Sequence, residues 1–178
     1  SKASSDHLVR AWNRTYKIPT IISNCSNNYG PFHHPEKFFA QTITKLLMNK
    51  RIPIYGDGNQ IRDWLFVDDH AEALFKVATS KKYGETYNIG GNCEMKNIEV
   101  VKFIIHNLSS RGVGKIETMM DLIDFDEDRP GQDKMYAIDN TKIKNDLGWS
   151  PKETFESGIE KTIESVSYTH LTLPTTRH

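Results

Sequence analysis

Apolar and small side chains recur along this chain first at a helical period and then in short β-branched runs. From 2 to 17, Ala3, His7/Leu8, Ala11/Trp12 and Tyr16 fall three to four apart, which predicts an amphipathic helix opened by Lys2. Pro19-Thr20-Ile21-Ile22-Ser23 predicts a short buried strand. Pro35 marks a helix start, and Phe38/Phe39, Ile43 and Leu46/Leu47 give that helix one apolar face. Strands at 52–55 and 61–67 flank the turn residues Gly56-Asp57-Gly58-Asn59. Asp68 is placed to N-cap a helix carrying Ala71, Leu74/Phe75 and Ala78 inward. A strand is predicted at 85–89, ended by Gly90-Gly91, and a helix at 97–108 with Ile98, Val101, Ile104/Ile105 and Leu108 on one side. Beyond these come a strand at 115–119, an acidic loop at 121–133, a short extended piece at 136–138 and a helix at 141–147 closed by Gly148. The last helix spans 154–165.

Strands alternate with helices, so the fold class is α/β. Residues 1–34 read as the end of a doubly wound, dinucleotide-binding type of sheet. Residues 35–165 read mainly as a smaller ligand-closing lobe with elements that return to that sheet. With the first strands of such a sheet absent, an open edge and poor solubility are expected. The stretch 166–175 reads, codon by codon, as a translated transposase adapter used in sequencing libraries. Residues 166–178 are therefore expected to be an artefact tail and are set aside from the fold.

Composition narrows the function. Lys+Arg and Asp+Glu are both 23 of 178 residues, so there is no global basic field for nucleic acid. No apolar run is long enough to span a bilayer. Two cysteines, Cys25 and Cys93, give neither metal spacing nor a disulfide framework, which fits a reducing, cytoplasmic compartment. There is no internal repeat. Any anionic ligand must be held by local clusters.

Four strings carry a resemblance: Ser23-Asn24-Cys25-Ser26-Asn27-Asn28-Tyr29-Gly30-Pro31, then residues 55–65 (YGDGNQIRDWL), 87–92 (YNIGGN) and 128–133 (DRPGQD). Together with Lys2 they resemble the extended short-chain dehydrogenase/reductases, most closely the dTDP-glucose 4,6-dehydratases, over residues 1 to about 165. Gln132 departs from the pattern, standing where those enzymes commonly have His. The resemblance implies bound NAD and dehydration of a dTDP-sugar by internal hydride transfer. It makes Lys2 the lysine of a Tyr-x-x-x-Lys pair, both a catalytic residue and a ligand of the nicotinamide ribose. Its charge would lower the pKa of a Tyr one helical turn upstream. That Tyr, a Gly-rich loop and an Asp/Glu pair would fall before Ser1, so the chain is expected to be a C-terminal half without activity of its own. A sugar-nucleotide 4-epimerase or decarboxylase of the same fold, or a non-catalytic binding domain, stays open.

The resemblance further implies that Asn28 meets NAD and Asn27 the sugar nucleotide. Asn side chains donate and accept, which suits hydroxyls and carboxamides; a plain turn is the alternative. Arg62 and Arg129 are candidates for the diphosphate, since a guanidinium offers phosphate a planar fork of donors. Surface ion pairs with Asp63 and Asp128 are the alternative. Lys37, Phe38, Pro53, Ile54, Tyr55 and Asn97 match positions around the nucleoside and phosphates, as do Asp128, Pro130, Gly131 and Gln132. Tyr55 could edge a base or be ordinary core. The helix at 2–17 resembles one of two that build the family's homodimer, although dimerisation without the other is doubtful. His33-His34 has no further ligands at metal spacing. Asp68-Asp69 reads as a cap, the acids at 121–128 as a solvated loop and Trp12 as packing.

Overall fold

The computed structural model describes residues 1–169. In chain order the elements are α1 (Lys2–Tyr16), β1 (Ile22–Cys25), β2 (Asn27–Tyr29), α2 (Phe38–Leu47), β3 (Ile52–Tyr55), β4 (Ile61–Phe66) and α3 (Val67–Thr79). They continue as β5 (Thr86–Ile89), β6 (Glu94–Lys96), α4 (Asn97–Ser110), α5 (Ile116–Met120), β7 (Ile123–Asp126), β8 (Met135–Tyr136), α6 (Thr141–Leu147) and α7 (Phe155–Ser167). The α/β class holds. None of the described helices is long and apolar enough to cross a membrane.

Three small sheets share the chain. β1 pairs β5 in parallel, Ile22 opposite Thr86 through Cys25 opposite Ile89. β4 is the hub of the second sheet: parallel to β2 and β8, antiparallel to β6. β3 pairs β7 in parallel, Ile52 opposite Ile123. The strands around the Gly56–Asn59 turn therefore do not pair with each other, although the turn is real. Gly58 has φ +73°, and a Cβ there would press on Ile54 and Ile98, so the turn accepts only glycine comfortably.

Two cores form. The larger lies between α2, α4 and α7, with Phe39, Ile43, Ile104, Ile105, Ile159 and Ile163 within 2% of full burial. The smaller packs α3 and α6 against β1 and β5 through Ala73, Val77, Tyr87, Ile89, Ile143 and Trp149. Gly91 crosses β4 so closely that a Cβ would collide with the Trp64 carbonyl.

Several local expectations change. α2 begins at Phe38, not Pro35, because Lys37 is still extended (φ −85°, ψ 151°). The 115–119 stretch is helix, not strand, and part of the acidic loop is the strand β7, held by β3 far away in sequence. Asn27–Tyr29 and Glu94–Lys96 form the short strands β2 and β6. On α3 the buried face is Asp69, Ala73 and Val77; Ala71, Leu74, Phe75 and Ala78 face outward, with Phe75 69% exposed. Only small side chains fit between α3 and the sheet. Phe66, not Asp68, stands at the cap position. Asp69 instead turns inward and its Oδ2 accepts from the backbone N–H of Lys152 (3.0 Å) and Glu153 (2.9 Å). Trp12 does not pack within the described chain: it is 55% exposed, and α1 has no buried residue.

α7 runs through Ser167, and Val166 is fully buried on the same stripe as Phe155, Ile159, Thr162 and Ile163. The rest of the expected tail, 170–178, lies outside the described residues.

Candidate functional site

A cleft opens where four elements meet. α2 contributes Phe38 and Gln41, with Lys37 at its cap; β3 contributes Pro53, Ile54 and Tyr55; β4 contributes Arg62 and Trp64; and α4 begins with Asn97. Asn27 of β2 and Arg129 from the irregular segment before β8 complete the wall, with Glu36 at the rim. The cavity measures about 320 Å³. Two helices, α2 and α4, start at this cleft, so their positive dipole ends lie beside it. Lys37, Arg62 and Arg129 add three cations against the single carboxylate of Glu36.

Neither arginine pairs with the aspartate beside it. Arg62 donates through one terminal nitrogen to its neighbour Ile61's carbonyl (2.7 Å) and through the other to the carbonyl of Asp133 (2.9 Å). Asp63 points the other way, 1% exposed, and accepts from the backbone N–H of Gly91 (3.0 Å) and Cys93 (2.9 Å). Arg129 lays its guanidinium 3.9 Å from the ring centroid of Tyr55. Asp128 accepts from the Arg129 backbone N–H at 2.9 Å. Phe38 stacks on Trp64 with centroids 5.8 Å apart and planes 10° apart, giving the cleft a flat apolar wall. This wall is built on sequence neighbours of the core, Phe39 and Leu65, so its position is rigid.

A trough leads from this cleft to Lys2. Arg62 and Asn27 also line a second depression with Cys25, Asp133 and Tyr136, and Cys25 and Tyr136 line a third with Lys2, Ser23 and Asn24. The trough passes the carboxyl end of β1, a place where open α/β sheets take their ligands, and the first residue of β2. An ammonium, a hydroxyl and an amide at the Lys2 end suit the hydroxyls of a ribose.

Nine of the expected residues thus meet in one cleft: Asn27, Lys37, Phe38, Pro53, Ile54, Tyr55, Arg62, Asn97 and Arg129. Lys2 stands apart at the far end. Asn28 points to the other face of β2, as strand alternation requires. Its oxygen accepts from the His70 ring N–H at 2.8 Å and its nitrogen donates to the carbonyl of Ser26 at 2.9 Å. Burial pushes the His70 imidazole below its usual pKa, so the ring is neutral near pH 7. Asp128 and Gln132 line a neighbouring polar depression with Asp57, Gln60 and Lys134. Pro130 and Gly131 line none of these depressions and form the turn between Asp128 and Gln132. His33 rests against Phe39, 6.3 Å between centroids.

Gln41, Trp64, Tyr136 and His70 escaped the sequence reading. Trp64 and His70 sit inside or beside quoted strings, yet only the fold shows which way they point. Tyr136 reaches the site because β8 pairs with β4, and its hydroxyl donates to the carbonyl of Cys25 at 3.4 Å.

The family model for GDP-mannose 4,6 dehydratase matches residues 1–162. A dTDP-glucose 4,6-dehydratase of Escherichia coli is 60% identical over 164 residues, 92% of this chain and 45% of the relative. Among solved structures, the dTDP-glucose 4,6-dehydratase of Bacillus anthracis in complex with NAD has a TM-score of 0.83 at 42% identity, covering 94% of this chain and 51% of that one. The Streptomyces venezuelae dTDP-glucose 4,6-dehydratase with NAD bound gives 0.85 at 36% identity, covering 94% and 50%. The chain spans about half the length of the relatives it matches. With that match running through the cleft, the trough and Lys2 alike, the chain belongs to the GDP-mannose 4,6 dehydratase family.

Proposed function

We propose that this chain supplies the nucleotide-binding half of a dTDP-glucose 4,6-dehydratase. The observation that carries it is the convergence of Lys37, Arg62 and Arg129 on a cleft walled by Phe38, Tyr55 and Trp64. Three cations and two helix starts suit a diphosphate; flat rings suit a nucleoside. The trough then lays the sugar toward Lys2, with Asn27 between them. Asp128, Pro130, Gly131 and Gln132 shape the segment that presents Arg129.

In the whole enzyme the reaction is loss of water from a dTDP-hexose at C5 and C6, giving a 4-keto-6-deoxy sugar. NAD supplies the transient hydride acceptor. Lys2 would place a positive charge beside a Tyr side chain, favouring the phenolate that takes the C4 hydroxyl proton and becomes the phenol. Asn28, locked by His70 and Ser26, keeps one amide hydrogen for the NAD side. The exposed stripe of Leu8, Trp12 and Tyr16 on α1 supports a homodimer of the whole enzyme through that helix. Two free cysteines fit a cytoplasmic setting.

The test is calorimetric titration of the 178-residue chain with thymidine diphosphate. Binding is expected without turnover of dTDP-glucose by this chain alone. Arg129→Ala and Arg62→Ala should each weaken binding roughly ten- to a hundredfold, the worth of a charge-assisted hydrogen bond. Equal affinity in parent and both variants refutes the assignment of the cleft.

A further inference from the structure

Arg129 sits in a segment, 127–134, without regular secondary structure, so few contacts decide where its guanidinium goes. One is made by Gln60, which closes the turn between β3 and β4 and is 6% exposed. Its side-chain nitrogen has two hydrogens and two acceptors: the carbonyl of Tyr55 at 3.1 Å and Oδ1 of Asp128 at 3.4 Å. That same Asp128 oxygen accepts from the Arg129 backbone N–H at 2.9 Å. The arginine's guanidinium in turn covers the Tyr55 ring. A closed circuit results: Gln60 to Tyr55, Tyr55 to Arg129, Arg129 to Asp128, and Asp128 back to Gln60. The main chain of Gln60 joins a further wall, its carbonyl accepting from the N–H of Asn97 at 3.1 Å.

The other end of the side chain is unusual. Gln60 Oε1 is buried and has no hydrogen-bond partner. A buried amide oxygen left unpaired is destabilising, and an apolar side chain of similar shape would avoid that loss. The side chain's donors face two segments that bear cleft residues. Fold stability alone does not account for Gln60; the placement of Tyr55 and Arg129 does.

We propose that Gln60 is a positioning residue: through Asp128 it holds Arg129 over Tyr55, and so sets the affinity of the cleft for a nucleoside diphosphate. This rests on the reading of the cleft given above. Gln60 touches no ligand itself. The probe is thymidine diphosphate, titrated into the 178-residue chain and into Gln60→Met, each with and without Arg129→Ala. With Arg129 present, Gln60→Met should weaken binding about tenfold, the loss expected when one ligand hydrogen bond is misaligned. In the Arg129→Ala background the same change should cost less than about twofold, because the guanidinium it positions is gone. A general effect on the fold would lower affinity equally in both backgrounds, and that result overturns the proposal. So does unimpaired binding by Gln60→Met. If Gln60→Met shows no cooperative melting, Asp128→Ala breaks the circuit at its other joint and must show the same dependence on Arg129; equal losses in both backgrounds again overturn it. Absence of binding by the parent chain overturns the reading of the cleft and this inference with it, whereas normal binding by the parent with Gln60→Met unaffected overturns the inference alone.

Discussion

Replacing Asp63 by Ala should destabilise this protein more than most single changes. The carboxylate is 1% exposed and has no cation beside it; its two oxygens accept from the backbone N–H of Gly91 at 3.0 Å and Cys93 at 2.9 Å. Alanine leaves both part-buried amides without their acceptor, since β4 packs directly over the Gly90-Gly91 turn, where a Cβ at Gly91 would collide with the Trp64 carbonyl. At about 1–3 kcal/mol for each stranded donor, the expected loss is about 2–6 kcal/mol. For a chain of this size that is a fall in Tm of roughly 4–24 °C. Asp63→Asn keeps one acceptor and presents an NH2 to the other amide, so about half the loss is expected. The assay is thermal unfolding by circular dichroism, with urea unfolding to give the free energy. A Tm within 1 °C of the parent for Asp63→Ala would refute the argument, because two part-buried N–H groups would then have lost their acceptor at no cost. The consequence reaches the site, as Arg62 and Trp64 flank Asp63 on the same strand and both line the cleft.

Two further outcomes are expected. Val166→Ala should lower stability by about 1–2 kcal/mol in urea unfolding, since Val166 is fully buried on the α7 stripe; no change would return residue 166 to the tail. Burial pushes the Cys93 thiol up to about 11, with the nearby carboxylates of Asp63 and Glu156 adding to it. The thiolate is the reactive form, so alkylation of Cys93 in the folded chain should be slow at pH 8 and accelerate only as pH climbs toward 11; labelling at pH 8 at the rate of a free peptide thiol would contradict this.

Much of this protein is written locally. α1, α4 and α6 follow from apolar spacing within each segment, and Gly148 adopts the left-handed cap (φ 62°) that its position after Leu147 demands. The strings around Asn27, Tyr55, Arg62 and Arg129 hold polar and aromatic groups that the cleft brings together. What the sequence could not determine is settled by partners distant along the chain. β7 is strand rather than acidic loop because β3, some seventy residues earlier, offers it a parallel edge. The 115–119 run is too short for its period to separate helix from strand. Leu74 and Phe75 look like core, yet α3 lies so close to its sheet that Ala73 and Val77 fill the gap and the larger residues are turned outward. Asp69 reads as a cap until the N–H groups of Lys152 and Glu153 arrive to draw it inward. Backbone propensity and period act over a few residues and were legible; pairing, facing and hydrogen-bond closure act between segments, and only the tertiary structure decides them.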